Sequence, residues 1–213
     1  MNKKYYGPQT ELAINNFPFD FRKTHREFLR AIVETKKAAA MGHAAVGELD
    51  RERERAIVVA CDELLAGKYD DQFPLPSFQG GAGTSNHMNV NEVVANRANE
   101  ILGAEKGSYK PLNPNDHVNM GQSTNDTFPS ALRLAALLIL KEYLHGSLEA
   151  LEKSFEAKGR EFDGVLKSAR THLQDAVPIR LGQEFAAYGE AIKKCRLSLL
   201  SAEKSLLELG LGG

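Results

Sequence analysis

Asn125-Asp-Thr-Phe-Pro-Ser-Ala-Leu-Arg-Leu-Ala-Ala-Leu-Leu-Ile-Leu-Lys-Glu-Tyr-Leu-His145 is the stretch on which the fold turns. From Ala131 to His145 it is apolar nearly all round, and a helix without a solvent face calls for burial in a bundle. Asp126 or Thr127 is placed to cap it, with Pro129 in its first turn, where a missing N–H costs least. The apolar run within it, Leu134 to Leu140, is closed by Arg133 and Lys141 and falls far short of the roughly 20 residues that cross a bilayer. No membrane span is expected.

Working outward, apolar residues recur at three and four residue steps while few segments alternate with period two, which predicts a mostly α protein. One helix is expected from about Thr24 to Val46, with Phe28, Ile32, Thr35, Ala39 and His43 as its apolar stripe and Lys36-Lys37 off it. A second runs from Asp50, a plausible N-cap, to Leu65, and Gly67 ends it. Helical spacing resumes from Met88 to Leu102, and a polar loop follows from Pro111 to Asn119. Further helices are expected from Leu148 to about Ala169 and from Val177 or Pro178 to Gly210. The last would span some thirty residues, about 45 Å at 1.5 Å per residue. Between Lys68 and Ser85, Pro74, Pro76, Gly80, Gly81 and Gly83 mark an irregular segment.

Composition narrows the function classes. With 27 basic and 28 acidic residues in 213, the net charge of -1 carries no electrostatic footprint for nucleic acid. The start, Met1-Asn2-Lys3-Lys4-Tyr5-Tyr6, is basic but is followed at once by Gly7-Pro8-Gln9-Thr10, with no apolar core for a secretory leader. Cys61 and Cys195 stand alone without C-x-x-C spacing, which suits two reduced thiols and a cytoplasmic chain. No cofactor motif is present: the glycines at 80, 81 and 83 lack both G-x-G-x-x-G after a strand and a Lys-Ser/Thr ending. No metal site is expected either. His25, His43, His87 and His145 read as packed or surface histidines, and no pair of them has ligand spacing with a carboxylate on one helix.

Three polar segments stand out at helix boundaries: Gly80 to Asn89, Asn113 to Asp126, and Arg170 to Asp175. Each offers hydroxyls and amides where backbone N–H groups are unpaired and the helix dipole favours an anion, so bound carboxylates would be at home. Taken singly, Ser123-Thr-Asn-Asp126 is a capping sequence, Asn115-Asp-His117 a turn, and His172 a packed histidine.

Together the segments resemble the signature blocks of the aspartase/fumarase superfamily of homotetrameric lyases, over nearly the whole chain. The matching blocks are Tyr6-Gly-Pro-Gln-Thr10, Gly81-Ala-Gly-Thr-Ser85, Met88-Asn-Val-Asn-Glu-Val93, Ala95-Asn-Arg97, Asn115-Asp116 through Gln122-Ser-Thr-Asn-Asp126, and Thr171-His-Leu-Gln-Asp-Ala-Val-Pro178 through Leu181-Gly-Gln-Glu-Phe185. The resemblance implies an all-α fold with an N-terminal domain over 1–121 and, from 122 to 213, the start of a long-helix bundle, interrupted before a C-terminal domain.

The resemblance also implies the chemistry: anti elimination from a four-carbon dicarboxylate, giving fumarate plus ammonia or water through an enolate-like dianion. Thr84, Ser85, Ser123, Thr124, Asn125 and Thr171 become carboxylate-binding candidates. His172 becomes an active-site residue that holds a carboxyl group or helps move a proton. Fumarases form a secondary dicarboxylate site with His-Pro-Asn-Asp; the block here is Asn113-Pro-Asn-Asp116, so Asn113, Asn115 and Asp116 are its candidates, with one departure. A second departure is His87-Met-Asn89 where Asn-Met-Asn is usual.

Gln122-Ser-Thr-Asn125 and Gly81-Ala-Gly-Thr-Ser85 look like aspartate ammonia-lyases. Asn89-Val-Asn-Glu-Val93, Ala95-Asn-Arg97 and Asn115-Asp-His-Val118 look like fumarases. The expected partners are a small dicarboxylate (aspartate, fumarate or malate) and further copies of the chain in a homotetramer. The family's catalytic serine, on a Gly-Ser-Ser loop, has no counterpart within residues 1–213, so the chain alone is expected to be inactive. The reading from another class is a non-catalytic helical module that binds a dicarboxylate or another long-helix protein. Argininosuccinate and adenylosuccinate lyases share the fold but match these blocks less well.

Overall fold

The computed structural model describes residues 4–19 and 22–212. Met1 to Lys3, part of the basic start, lie outside the described residues. Seven α-helices and one β-hairpin are present among those described: α1 Pro8–Asn16, α2 Arg26–Ala45, α3 Arg51–Leu65, α4 Thr84–Ile101, α5 Thr124–Ile139, α6 His145–Glu161, β1 Leu166–Thr171, β2 Gln174–Arg180 and α7 Leu181–Leu206. They form two compact units, Met1–Ala135 with Leu209–Gly213, and Ala136–Glu208. None of the described helices is long and apolar enough to cross a membrane.

In the first unit α3 packs against both α2 and α4, and their facing sides supply Phe28, Ile32, Ile57, Cys61, Val90 and Val94 to one core. Full burial of an Ile or Val side chain contributes roughly 1.5–3 kcal/mol each. Helix α3 starts as its sequence demands: the Asp50 side chain accepts the Arg53 N–H at 2.9 Å. On α2 the buried face differs from the expected stripe. Phe28, Ile32, Lys36, Ala40 and Ala44, at successive four-residue steps, are buried, and Lys36 has no exposed surface. The polarity of lysine directs a sequence reading onto Thr35 instead. In the fold, its four-carbon stem continues the apolar face and three acceptors receive its head.

Helix α4 organises this unit through polar side chains. The Glu92 carboxylate accepts the N–H groups of Gly7 (2.9 Å), Gln9 (2.9 Å) and Thr10 (3.1 Å), the Thr10 hydroxyl (2.7 Å) and the Tyr109 hydroxyl (3.2 Å). Those amides begin α1, a helix the periodicity did not predict; its N-terminus is held by a carboxylate from another helix rather than by its own cap. Asn96 bonds the Tyr5 carbonyl and the Gly107 N–H, and Asn99 bonds both backbone groups of Leu112. Arg97 pairs with Glu63 and Glu100. Glu92, Asn96 and Asn99 are thus satisfied by backbone groups that would otherwise be orphaned, and each thereby fixes one segment of the unit.

The second unit departs most from the expected helices. Helix α6 ends at Glu161, with the Phe162 N–H bonded to the Lys158 carbonyl as the last turn, and the residues up to Arg180 form an antiparallel hairpin rather than helix to Ala169. The pairing runs from Leu166 opposite Arg180 to Thr171 opposite Gln174, with a register irregularity between Ser168 and Arg170. Pro178 therefore sits in a strand opposite Ser168, where a two-stranded ribbon tolerates a missing donor, and α7 starts at Leu181. The fold is thus helical with one small sheet. Helices α6 and α7 then pack closely: a Cβ on Gly182 would lie 2.3 Å from the Gly159 carbonyl oxygen. Phe155, Phe162, Phe185 and Tyr188 fill the seam beside the Arg196–Glu152 ion pair of 2.8 Å.

Candidate active site

The first turns of α4 and α5 meet. Gly83, which precedes α4, has φ +87° and approaches so closely that a Cβ there would lie 2.0 Å from the Phe128 ring of α5. One turn into α4, His87 Nδ1 lies 2.7 Å from the Thr124 hydroxyl at the first position of α5. Thr84 stands three residues before His87, on the same side of the helix. Thr84, Ser85, Ser123, Thr124 and Asn125 are therefore carried by two converging helix starts, where backbone N–H groups and the dipole favour an anion.

Their individual roles differ. Ser123 caps α5: its hydroxyl accepts the Asn125 N–H at 3.2 Å and its carbonyl the Asp126 and Thr127 N–H groups. The cap thus lies three or four residues earlier than Asp126 or Thr127, and Pro129 falls inside the helix, where it omits one ladder bond to the Asn125 carbonyl. Thr84 and Asn125 are exposed, and Ser85 and Thr124 half-buried. Asn113 accepts the Asn115 and Asp116 N–H groups at 2.7 and 3.2 Å, capping a short turn from Pro114 to Val118, so its acceptor is already engaged; Asn115 and Asp116 are exposed.

Thr171 and His172 belong to the other unit. They lie at the tip of the hairpin, both exposed, with His172 and Leu173 forming the turn and Leu173 in the left-handed region at φ 59°. The structure leaves both side chains at a solvent-facing tip and brings neither to a partner of its own unit that would make His172 a packed histidine.

Two residues absent from the sequence-based site complete the picture. Lys36 Nζ donates to Asn119 Oδ1 and Gln122 Oε1, both at 2.8 Å, and bonds His87 Nε2. Burial pushes the Lys36 ammonium down to about 7, against the weaker pull of Cys61 and Asp126. Burial, with Lys36 beside it, likewise holds His87 down at about 3, so the imidazole is neutral. The departure His87 for the usual Asn was the available signal; Lys36 had none beyond its four-residue step from Ile32.

A family model described as "Lyase" matches residues 1–213. The chain belongs to the lyase family of the aspartase/fumarase superfamily. It is 44% identical to the class II fumarate hydratase of Campylobacter jejuni over all of this chain and 46% of that protein. With the aspartate ammonia-lyase of Bacillus subtilis it shares 48% identity over 98% of this chain and 44% of that one. Among solved structures, the fumarate lyase:delta crystallin of Brucella melitensis superposes with a TM-score of 0.93 at 46% identity, covering 99% of this chain and 49% of that one. The class II fumarase of Schistosoma mansoni gives 0.93 at 35%, over 99% and 44%. The chain spans about half the length of the relatives it matches.

Proposed function

We propose that this lyase chain supplies the carboxylate-holding part of a site for anti elimination on a four-carbon dicarboxylate, with fumarate as product. The observation that carries the reading is the meeting of α4 and α5 at the His87–Thr124 hydrogen bond, which gathers Thr84, Ser85, Thr124 and Asn125 at two helix starts. Removing a proton next to a carboxylate concentrates negative charge, so preorganised donors that strengthen as charge develops are the main source of rate. Neutral hydroxyls and amides do this without gripping a dianionic product. Ser123 serves the cap first and the ligand through α5's first-turn amides. Thr171 and His172, exposed and without partners in their own unit, suit residues that meet substrate in an assembled enzyme.

Ammonia is the proposed leaving group, on Gln122-Ser-Thr-Asn125 and Gly81-Ala-Gly-Thr-Ser85. Water is the second reading, supported by Asn89-Val-Asn-Glu-Val93 and by relatives named fumarate hydratase. Assembly into a homotetramer is proposed from the side chains of α7 that stand exposed, Tyr188 at 52% and Leu197 at 51% among them. The cytoplasm is its proposed location, from the two lone cysteines.

Succinate titrated into the chain by calorimetry is expected to bind, and Thr124→Ala to weaken binding by about tenfold with the melting temperature nearly unchanged, as for loss of one hydrogen bond to a charged ligand. Equal binding by the variant removes Thr124 from the site. L-aspartate should compete with succinate better than L-malate does; the reverse order assigns water as the leaving group. No fumarate should form from L-aspartate with the chain alone, because no Gly-Ser-Ser segment occurs within residues 1–213.

A further inference from the structure

We infer that Lys36 is a positioning residue: acting through His87, it sets the direction in which the Thr124 hydroxyl donates its proton. The inference rests on the reading of Thr124 as a carboxylate donor and adds what controls it.

The donors and acceptors around the Lys36 ammonium admit one arrangement of protons. The Asn119 side-chain NH2 donates to the Gln122 carbonyl at 3.1 Å, and that of Gln122 to the Val118 and Met120 carbonyls, both at 3.1 Å. Both amide oxygens are thereby turned toward Lys36. An ammonium has three protons and no lone pair. Two protons go to these oxygens, and the third goes to His87 Nε2, which must then be the bare nitrogen. A neutral imidazole with bare Nε2 carries its proton on Nδ1, so His87 donates to Thr124 Oγ1 over 2.7 Å. With its oxygen accepting from His87, the Thr124 hydroxyl directs its own proton away from His87, toward an anion at the helix starts.

A neutral Lys36 reverses every step. Two N–H groups still serve the amides, the amine lone pair accepts from His87 Nε2–H, and bare Nδ1 accepts the Thr124 proton. The hydroxyl then offers an approaching carboxylate only lone pairs. Burial brings the ammonium to about 7, so the reversal falls near neutrality. The titratable groups bearing on Lys36 are Cys61 of α3, Asp126 of α5 and His87 of α4. Burial pushes the Cys61 thiol up to about 12, so it stays uncharged. On the turn Pro114–Val118, which also packs on α2, stand Asp116, exposed, and His117, whose Nδ1 accepts the Asn113 N–H at 3.0 Å.

The direct test is the tautomer of His87 in the ligand-free, 15N-histidine-labelled chain, followed by NMR from pH 5.5 to 9. The expected result is the Nδ1–H form at low pH, giving way to Nε2–H as Lys36 loses its proton. Nε2–H at pH 5.5, or an imidazolium there, overturns the inference. Lys36→Met should give Nε2–H throughout, and an unchanged Nδ1–H form in a folded variant also overturns it. The second readout is succinate affinity, expected to fall about tenfold from pH 6 to 8.5. It should lose that dependence in His87→Asn, whose amide can donate to Thr124 whatever the charge on Lys36; the same dependence in that variant counts against the inference. A tautomer switch without succinate binding at any pH sinks the proposed function and leaves the hydrogen-bond direction standing.

Discussion

Two blocks equally prominent in the sequence have opposite fates. Met88-Asn-Val-Asn-Glu-Val93 with Ala95-Asn-Arg97 lies on α4, where Asn89, Asn91, Glu92 and Asn96 are buried and Asn89, Glu92 and Asn96 bond backbone elsewhere in their own unit. Arg170 to Val177 lies on the hairpin of the other unit, where Thr171, His172 and Gln174 are exposed and Leu173 and Val177 stand 93% and 68% accessible. The first block is what the fold is built with. The second contributes little to its own unit, so its residue choice points to something met outside that unit. A signature motif therefore does not by itself distinguish residues that hold the chain from residues that hold the ligand; the number of hydrogen bonds each side chain has already made does.

The contrast is sharpest at Glu92. Glu92→Ala orphans the amides that begin α1 together with two hydroxyls, and should cost about 3 kcal/mol or more in urea unfolding, with loss of protection at Gly7 to Thr10 in hydrogen exchange. A cost below about 1 kcal/mol would dissolve the distinction between the blocks. Arg97 comes next: Arg97→Ala should cost about 1–2 kcal/mol, since its pairs with Glu63 and Glu100 are partly sheltered. Hydrogen bonds from Arg97 hold the Glu63 carboxyl below its ordinary value. A carboxyl lowered in the folded state stabilises above its unfolded pKa, and that stability is lost as pH falls through the folded value. The wild-type urea midpoint should therefore drop below about pH 4.5, and Arg97→Ala should flatten that acid slope; parallel slopes remove Glu63 from the account. The smallest effect belongs to the hairpin, where His172→Ala should leave stability within about 0.5 kcal/mol. A larger loss would show that the hairpin, too, is held together by its signature residues.

Much of the helical framework was legible. The Asp50 cap and the extents of α2, α3 and α7 are local properties, and the structure keeps them within a few residues; the burial expected of the apolar helix over 131–145 is kept only at Ala131 and Ala135, with Leu132 and Tyr143 exposed, because burial depends on what packs against a helix and not on its own composition. The hairpin was not legible, because Val165 to Arg180 mixes polar and apolar residues without a clean period and carries Pro178, and pairing across a turn depends on a partner strand that periodicity does not report. Neither was α1, whose start depends on Glu92, more than eighty residues away in sequence.

The site divides the same way. The residue types that suit a carboxylate, hydroxyls and amides at helix starts, are stated by Thr84, Ser123, Thr124 and Asn125 themselves, because capping preference and anion binding draw on the same unpaired backbone N–H groups. What stands behind them is not. Lys36 reads as a solvated lysine until α2, α4 and the 118–122 segment close around it, since the cost of burying an ammonium is met only when three acceptors, one from α4 and two from the 118–122 segment, arrive together. The sequence alone decided which side chains can hold an anion; tertiary structure decided that one of them, Thr124, is wired to a buried charge, because that wiring is made of contacts between residues 36, 87, 119, 122 and 124 that no local rule relates.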